Sequence, residues 1–181
     1  MKDRVFIGIG SNVGESQENC IRSIKEMIKD GRLRLQGVSS LYRTSPVSDV
    51  SQGDFINCAA FVSWAGSPLS LLEFLMGIEN RMGRIRDGIK DGPRIIDLDI
   101  LLFGNLVLQE HSLTIPHAEL HKRKFAIVPC LEIDPQIIHP GLRRPLATFL
   151  NKIEGGQSVE LIRKISLDEI VTKTQTSQRD S

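Results

Sequence analysis

The fold is decided by the stretch Ile95–Phe103, which reads IIDLDILLF. Seven of its nine residues are apolar and three are β-branched, a composition that favours a strand in the centre of a sheet. Side chains alternate between the two faces of a strand, so Asp97 and Asp99 share one face and the intervening apolar residues occupy the other. The stretch therefore predicts a sheet with an apolar face on one side and two carboxylates on the other.

Hydrophobic periodicity outside this strand predicts the rest of an α+β fold. Apolar residues recur at helical spacing after Glu15 and again after Pro68, where Ser67 is a suitable N-cap. The resulting βαββαβ order matches a ferredoxin-like core, an antiparallel sheet with both helices packed on one face. The elements that precede Ile95–Phe103 are a strand over Val5–Ile9, a helix over Glu15–Asp30, strands over Leu33–Tyr42 and Phe55–Trp64, and a helix over Pro68–Met82.

The chain beyond this core has a less regular pattern, which predicts C-terminal additions to the fold. We expect a loop over Leu113–His121, short helices over Lys124–Glu132 and Leu146–Ile153, and a helix or strand over Ser158–Val171. The length of 181 residues allows one domain, which we place at residues 1–155. Residues 156–181 then form a C-terminal extension, whose polar last ten residues we expect to be flexible.

Composition excludes several classes of protein. The formal net charge of +1 provides no field for wrapping nucleic acid or binding an anionic membrane. The three cysteines, Cys20, Cys58 and Cys130, are too widely spaced for a zinc site and predict reduced thiols in a cytoplasmic protein. No apolar run approaches the 18 or so residues of a membrane span, and the run after Arg4 is too short for a signal peptide.

Asp97 and Asp99 are the sharpest chemical feature of the sequence. Two residues apart on a strand, they lie roughly 6.5 Å apart along the chain, where unpaired carboxylates repel each other. Mg²⁺ completed by a polyphosphate would compensate this charge, and a two-ion site fits the spacing. The alternative is that both acids lie in water at the end of an edge strand.

The loop ahead of this strand carries a local excess of positive charge that strengthens the first interpretation. Guanidinium groups bind phosphate oxygens in a bidentate manner, as phosphoryl transfer requires, although a solvated charge run remains an alternative. Glu79 lies on the apolar stripe of its helix and either pairs with a neighbouring Arg or faces a ligand cleft. The cations of the loop are Arg81, Arg84, Arg86, Lys90 and Arg94, against the carboxylates of Asp87 and Asp91.

Phe55 and Asn57 share a face of their strand and could bind a flat heterocycle together. Phenylalanine stacks on such a ring and the Asn amide reads its edge, although Phe in a strand more often belongs to the core. The sequence has no G-x-x-x-x-G-K-[ST] motif, and Gly8, Gly10 and Gly14 miss the dinucleotide fingerprint by one residue. ATP would therefore bind without a P-loop.

The stretch Gly92–Gly104, GPRIIDLDILLFG, resembles the signature of the 6-hydroxymethyl-7,8-dihydropterin pyrophosphokinase family. Other segments resemble the same family in the same order, so the similarity covers about residues 4 to 140. The ferredoxin-like α+β fold of that family agrees with the order of elements predicted above. The further segments are Ile7–Asn12, Ser40–Thr44, Phe55–Asn57 and Leu113–His117, together with Arg123 and Phe125.

This resemblance implies the transfer of diphosphate from ATP to the hydroxymethyl group of the pterin in folate biosynthesis, with release of AMP. It implies that Asp97 and Asp99 hold two Mg²⁺ ions, while Arg84 and Arg94 steady the triphosphate. The further nucleotide contacts that it implies are Glu79, Arg86, Ile100, Thr114, His117 and Arg123. The pterin contacts are Phe55 and Phe125 on its two faces, with Asn57 and the backbone of Thr44 to Val47 at its edge.

The chain departs from this family at Asp91, where many members have Trp, which predicts a looser lid or a different closing residue. Two other functions are compatible with parts of the pattern: a nucleotide-sugar transferase that uses the D-x-D metal site, and a non-catalytic ferredoxin-like RNA-binding module. The chain is short for the first and lacks an aromatic RNA platform for the second. We expect a monomer that binds ATP and the pterin, with no nucleic-acid or membrane partner.

Overall fold

The computed structural model of the protein describes residues 3–47, 51–85, 92–153 and 155–171. Arg86, Asp91 and the last ten residues, for which the sequence makes predictions, lie outside this part of the chain. The elements, in order, are β1 (Asp3–Ser11), α1 (Ser16–Ile28), β2 (Arg34–Val38), β3 (Leu41–Thr44), β4 (Phe55–Trp64), α2 (Pro68–Arg81), β5 (Asp97–Phe103), β6 (Leu108–Gln109), β7 (Thr114–Ile115), α3 (Lys124–Ile133), β8 (Ile138–His139), β9 (Arg144–Pro145), β10 (Val159–Arg163) and α4 (Leu167–Val171), with 3-10 turns at Leu120–Lys122 and Leu146–Lys152.

The main sheet is antiparallel and has the strand order β10-β3-β4-β1-β5, with β2 also paired to β4. The predicted βαββαβ core is confirmed, because β1, β4 and β5 pair as that fold requires. Ser67 caps α2 as predicted, since its side chain accepts the backbone N–H of Ser70 at 3.1 Å.

The sequence predicts one strand over Leu33–Tyr42, and this prediction is wrong in that the structure divides the stretch into β2 and β3. Ser39 and Ser40 lie at the break and are buried. The Ser39 hydroxyl accepts the N–H of Ala59 at 2.9 Å, and the N–H and hydroxyl of Ser40 both donate to the Glu132 carboxylate at 2.8 and 2.7 Å. These side-chain partners replace ladder hydrogen bonds, so the strand bends at this point.

Helices cover both faces of the sheet. Helices α1 and α2 pack on the face that carries Val5, Ile7 and Ile9, as predicted, and α4 packs against α1. Helix α3 packs on the opposite face, against Phe6 and Leu101. Residues after β9 extend the fold through β10, which pairs with β3 at the edge of the sheet. Within the described residues, no helix combines the length and hydrophobicity that crossing a membrane requires.

Candidate active site

An open cavity lies on the sheet face opposite α1 and α2. Its floor consists of β1, β4 and β5, where Gly10 lies between Asn57 on one neighbour and Asp97 on the other. One wall is the segment after β3, from Ser45 to Val47, and the other is the start of α3. The cavity therefore collects side chains from segments that are far apart in the sequence.

Two glycines of β1 make room for this cavity. Gly8 pairs with Asp99 and Gly10 with Asp97 in the ladder between β1 and β5. A Cβ atom on Gly10 would lie only 2.6 Å from Oδ1 of Asn57, so any side chain there would have to displace the Asn57 amide. A Cβ on Gly8 would lie 3.2 Å from the buried Leu101 side chain, which is a tight contact but a less severe one. Gly10 is thus the stricter requirement of the two.

Both carboxylates of the D-x-D motif line the cavity. Asp97 accepts hydrogen bonds from Arg84 and, at 2.9 Å, from Nη1 of Arg94. Burial, together with the neighbouring Asp97 carboxylate, raises the pKa of Asp99 to about 7. Both acids therefore lie on the wall of a cavity rather than in bulk water, and negative charge is costly at Asp99.

A divalent cation would relieve this cost, and the donor set of the cavity fits Mg²⁺. Carboxylate oxygens are the ligands that Mg²⁺ prefers, and it usually takes one or two of them plus water and phosphate oxygens. Within the part of the chain that the structure describes, no third acidic, His or Cys side chain joins Asp97 and Asp99 in a metal-binding group. The remaining ligands would come from a bound polyphosphate and water.

Glu79 lies beneath β5 rather than on the cavity wall. It is 2% exposed, and its Oε1 atom accepts the N–H of Leu98 at 2.8 Å as well as a hydrogen bond from Arg84. Burial alone would lower the pKa of Arg84, but the Asp97 and Glu79 carboxylates raise it above its ordinary value. Arg84 is therefore a permanent cation that links the buried Glu79 to Asp97 at the cavity.

Arg94 is held at the other side of Asp97. Its backbone N–H donates to Oδ1 of Asn12 at 2.8 Å, and its carbonyl accepts the N–H of Asn12 at 3.1 Å. Its guanidinium carbon lies 5.4 Å from the centre of the Phe55 ring. Nε of Arg94 is buried, and no hydrogen-bond partner is found for it in the described structure. A phosphate oxygen in the cavity would supply the missing acceptor.

The predicted pterin contacts all line the cavity: Thr44, Val47, Phe55, Asn57 and Phe125. Asn57 is buried, and its Nδ2 donates to Oγ1 of Thr44 at 2.6 Å, which fixes the orientation of the amide. Arg123 lies over the ring of Phe125, with its guanidinium carbon 5.6 Å from the ring centre. The cavity thus combines two aromatic rings with an oriented amide.

The predicted nucleotide contacts divide into two groups. His117 and Arg123 line the cavity. Burial and the positive charge of Arg123 lower the pKa of His117. Nδ1 of His117 accepts the N–H of Glu119 at 3.2 Å. Thr114 lies in β7 away from the cavity lining, and Ile100 lies in the core that faces α1 and α2. Arg86 is outside the described residues.

Sequence reasoning missed several residues of the site. Gly10 could have been found, because period two in β1 places Gly8 and Gly10 on the face opposite Ile7 and Ile9. Gln52 had no such signal: it lines the cavity because its Oε1 accepts a hydrogen bond from Asn12, 40 residues earlier, at 2.9 Å.

Comparison with known families agrees with this geometry. A family model described as 7,8-dihydro-6-hydroxymethylpterin-pyrophosphokinase (HPPK) matches residues 6–135. The chain is 38% identical over 135 residues to "2-amino-4-hydroxy-6-hydroxymethyldihydropteridine pyrophosphokinase" of Haemophilus influenzae, covering 75% of this chain and 84% of the relative. It is 35% identical over 145 residues to the protein of the same name from Aquifex aeolicus, covering 80% of this chain and 89% of the relative.

Longer proteins contain a similar region. "Folic acid synthesis protein fol1" of Schizosaccharomyces pombe is 34% identical over 92% of this chain, which spans only 22% of that protein. A crystal structure of Plasmodium falciparum HPPK-DHPS superposes with a TM-score of 0.68 at 15% identity, covering 84% of this chain and 44% of that one. That structural likeness supports the shared fold.

Proposed function

This chain belongs to the 7,8-dihydro-6-hydroxymethylpterin-pyrophosphokinase family, and we propose that it transfers diphosphate from ATP to the hydroxymethyl group of 6-hydroxymethyl-7,8-dihydropterin in folate biosynthesis. The products are AMP and the pterin diphosphate. The observation that carries the proposal is the cavity that Asp97, Asp99 and Arg94 line together with Phe55 and Phe125. Family membership favours neither the nucleotide-sugar transferase nor the RNA-binding module.

Charge neutralisation is the main contribution of the chain at the phosphate end. Two Mg²⁺ ions held by Asp97 and Asp99 would offset the phosphate charge and polarise the phosphoryl oxygens. Arg84 stays charged through its pairing with Asp97 and Glu79. Arg94 offers its unpartnered Nε to the triphosphate. We infer that Glu79 acts through Arg84 and that His117, Arg123 and Arg86 contact the nucleotide. Thr114 and the backbone of Ile100 lie outside the cavity lining and would be reached only by a part of the nucleotide that extends beyond the cavity.

At the other end of the cavity, the chain orients the pterin, which accepts the diphosphate. Phe55 and Phe125 stack on the pterin faces, and Asn57 with the backbone from Thr44 to Val47 reads its edge. The hydroxymethyl oxygen then attacks the β-phosphorus as the bond from that phosphorus to the bridging oxygen of AMP breaks. The hydroxyl proton is released, and no bond to the protein forms. Holding both substrates in this geometry replaces a bimolecular encounter with an intramolecular one.

The reaction itself provides the test. Purified protein is mixed with ATP labelled at the β-phosphorus, Mg²⁺ and the hydroxymethyl dihydropterin, with a matched reaction that lacks the pterin. We expect the label in the pterin product and unlabelled AMP, only when the pterin is present. Release of ADP, or no turnover, would contradict the proposed function.

Phe55→Ala removes one face of the proposed pterin sandwich. Loss of a stacked ring costs about 1–3 kcal/mol per base in sites that stack nucleobases, so we expect KM for the pterin to rise roughly 5- to 150-fold. Phe55→Tyr keeps the ring and should retain near-normal KM. Steady-state kinetics at saturating ATP measures both, and an unchanged pterin KM in Phe55→Ala would remove Phe55 from the binding site.

Gly10→Ala places a methyl group against Oδ1 of Asn57, where the gap is 2.6 Å. The Asn57 amide must move and break its hydrogen bond to Thr44, so we expect pterin affinity to fall by about tenfold or more. Gly77→Ala is the control, because Gly77 lies in α2 outside the cavity lining and its methyl group would meet only Nη1 of Arg81, at an ordinary contact distance of 3.4 Å. Titration with a pterin analogue compares the two, and equal affinities would show that the Asn57 amide does not read the pterin edge.

We propose further that the protein is a cytoplasmic monomer with ATP and the pterin as its only partners in this reaction. The three cysteines are buried and free, as expected of a reducing compartment. A light-scattering mass equal to one chain supports the monomer, and a mass of two or more chains contradicts it.

A further inference from the structure

The segment between residues 155 and 158 joins the two walls of the cavity. On one side, the Ser45 hydroxyl donates to the carbonyl of Gly156 at 3.1 Å and accepts the N–H of Ser158 at 3.0 Å. On the other side, Oε1 of Gln157 accepts the N–H of Lys124 at 2.9 Å, and its Nε2 donates to the carbonyl of Lys122 at 3.0 Å. One short segment therefore contacts both sides of the cavity, through its backbone on the Ser45 side and through the Gln157 side chain on the other.

The two hydrogen bonds of the Gln157 side chain go to the residues on either side of Arg123. Lys122 and Lys124 flank Arg123, which lines the cavity, and Lys124 is the first residue of α3. The first N–H groups of a helix have no partner within the helix, and the side chain of Arg123 provides no cap here. The Gln157 amide supplies that partner from 33 residues away and holds both ends of the turn that presents Arg123 and Phe125.

The contacts of Ser45 act on the opposite wall. Ser45 directly follows β3 and lines the cavity next to Pro46 and Val47. Its N–H also donates to the carbonyl of Ser158, at 3.4 Å, which continues the pairing of β3 with β10. Because β10 is a strand of the main sheet, it anchors the segment that carries Gln157. The spacing between the two walls thus depends on residues 156–158.

We propose that Gln157 is a positioning residue for the substrate cavity, so that part of the chain beyond the family-matched residues 6–135 helps to form the active site. The proposal rests on the proposed function, since Arg123 and Phe125 are assigned there to the nucleotide and the pterin. Gln157 touches neither substrate in this account. It acts by fixing the turn at Lys122–Lys124 against the Ser45 wall.

The test compares Gln157→Ala, Gln157→Glu and Gln136→Ala in the full chain. Gln136 is exposed and lies after α3, outside the cavity lining, so its variant should behave as wild type. Gln157→Ala should raise KM for the pterin by about fivefold or more while kcat changes by less than about twofold, because binding groups are displaced without loss of the reacting groups. Gln157→Glu keeps the acceptor for Lys124 and loses the donor to Lys122, so its KM should fall between the other two.

The melting temperature of each variant shows whether a change in KM comes with a loss of stability. Unchanged KM values in Gln157→Ala would overturn the proposal, whether or not the melting temperature falls. If Gln157→Ala yields no folded protein, Gln157→Glu decides, and a wild-type KM in that variant would overturn it as well. These outcomes are distinct from failure of the proposed function, in which the wild-type protein itself would form no AMP.

Discussion

Asp97→Asn and Asp99→Asn should each reduce the rate of AMP formation by about a thousandfold or more. Each substitution keeps the shape of the side chain and removes a negative charge from the cavity that we propose for Mg²⁺ and ATP. Glu110→Gln neutralises an exposed carboxylate outside the cavity and should leave the rate unchanged. Initial rates at saturating substrates, with folding checked by circular dichroism, measure the effect. Turnover near wild type in either Asn variant would refute the metal assignment.

The same two variants should differ in stability when Mg²⁺ is absent. The pKa of Asp99 rises from 3.8 to about 7 on folding, so ionising it disfavours the folded state and the wild type loses stability as pH rises through that interval. Asp99→Asn removes this loss and should melt at a higher temperature than wild type at pH 8, with the difference vanishing near pH 4. Asp97→Asn should melt lower, because it weakens the pairing of Arg84 and Arg94.

Glu79→Ala should lower the free energy of unfolding by about 2–4 kcal/mol. The substitution deprives Arg84 of one carboxylate and the buried N–H of Leu98 of its acceptor. Glu79→Gln keeps an acceptor for Leu98 and should cost less. Glu73→Gln is the matched control, because Glu73 is an exposed acid on the same helix. Urea unfolding followed by circular dichroism measures all three.

This result also decides how Glu79 acts. If Glu79 supports the site through Arg84, stability and kcat should fall together in Glu79→Ala. If stability stays within about 0.5 kcal/mol of wild type while KM for ATP rises, Glu79 contacts the nucleotide directly and its buried pairing with Arg84 is not its main role.

The parts of the fold that sequence could predict are those set by local pattern. Period two in Asp97–Phe103 places both acids on one face, and Ser67 and Pro68 define the start of α2. Local pattern did not predict the features of the fold that depend on hydrogen bonds to residues distant in the sequence. Ser39 and Ser40 interrupt a strand because Ala59 and Glu132, far along the chain, accept or supply their hydrogen bonds.

The site shows the same division. Residue type and the alternation of side chains on a strand were enough to select five residues that line the cavity. These residues are Asp97, Asp99, Arg94, Phe55 and Asn57. For Glu79 the sequence left two alternatives, a pairing with a neighbouring Arg or a place in the cleft, and the packing of α2 beneath β5 brings it to Arg84. The sequence does not indicate a role for Gln157 in the site, because a polar residue after two glycines predicts a surface turn. Its role depends on β10 bringing it beside the start of α3.

Crystals grown with Mn²⁺, a non-hydrolysable ATP analogue and the hydroxymethyl dihydropterin would locate the metal ions by anomalous scattering. We expect two Mn²⁺ peaks in contact with the carboxylate oxygens of Asp97 and Asp99 and with the analogue's phosphates, and the pterin between Phe55 and Phe125. Mn²⁺ bound elsewhere, with Asp97 in contact only with Arg84 and Arg94 and the phosphates outside the cavity, would contradict this expectation.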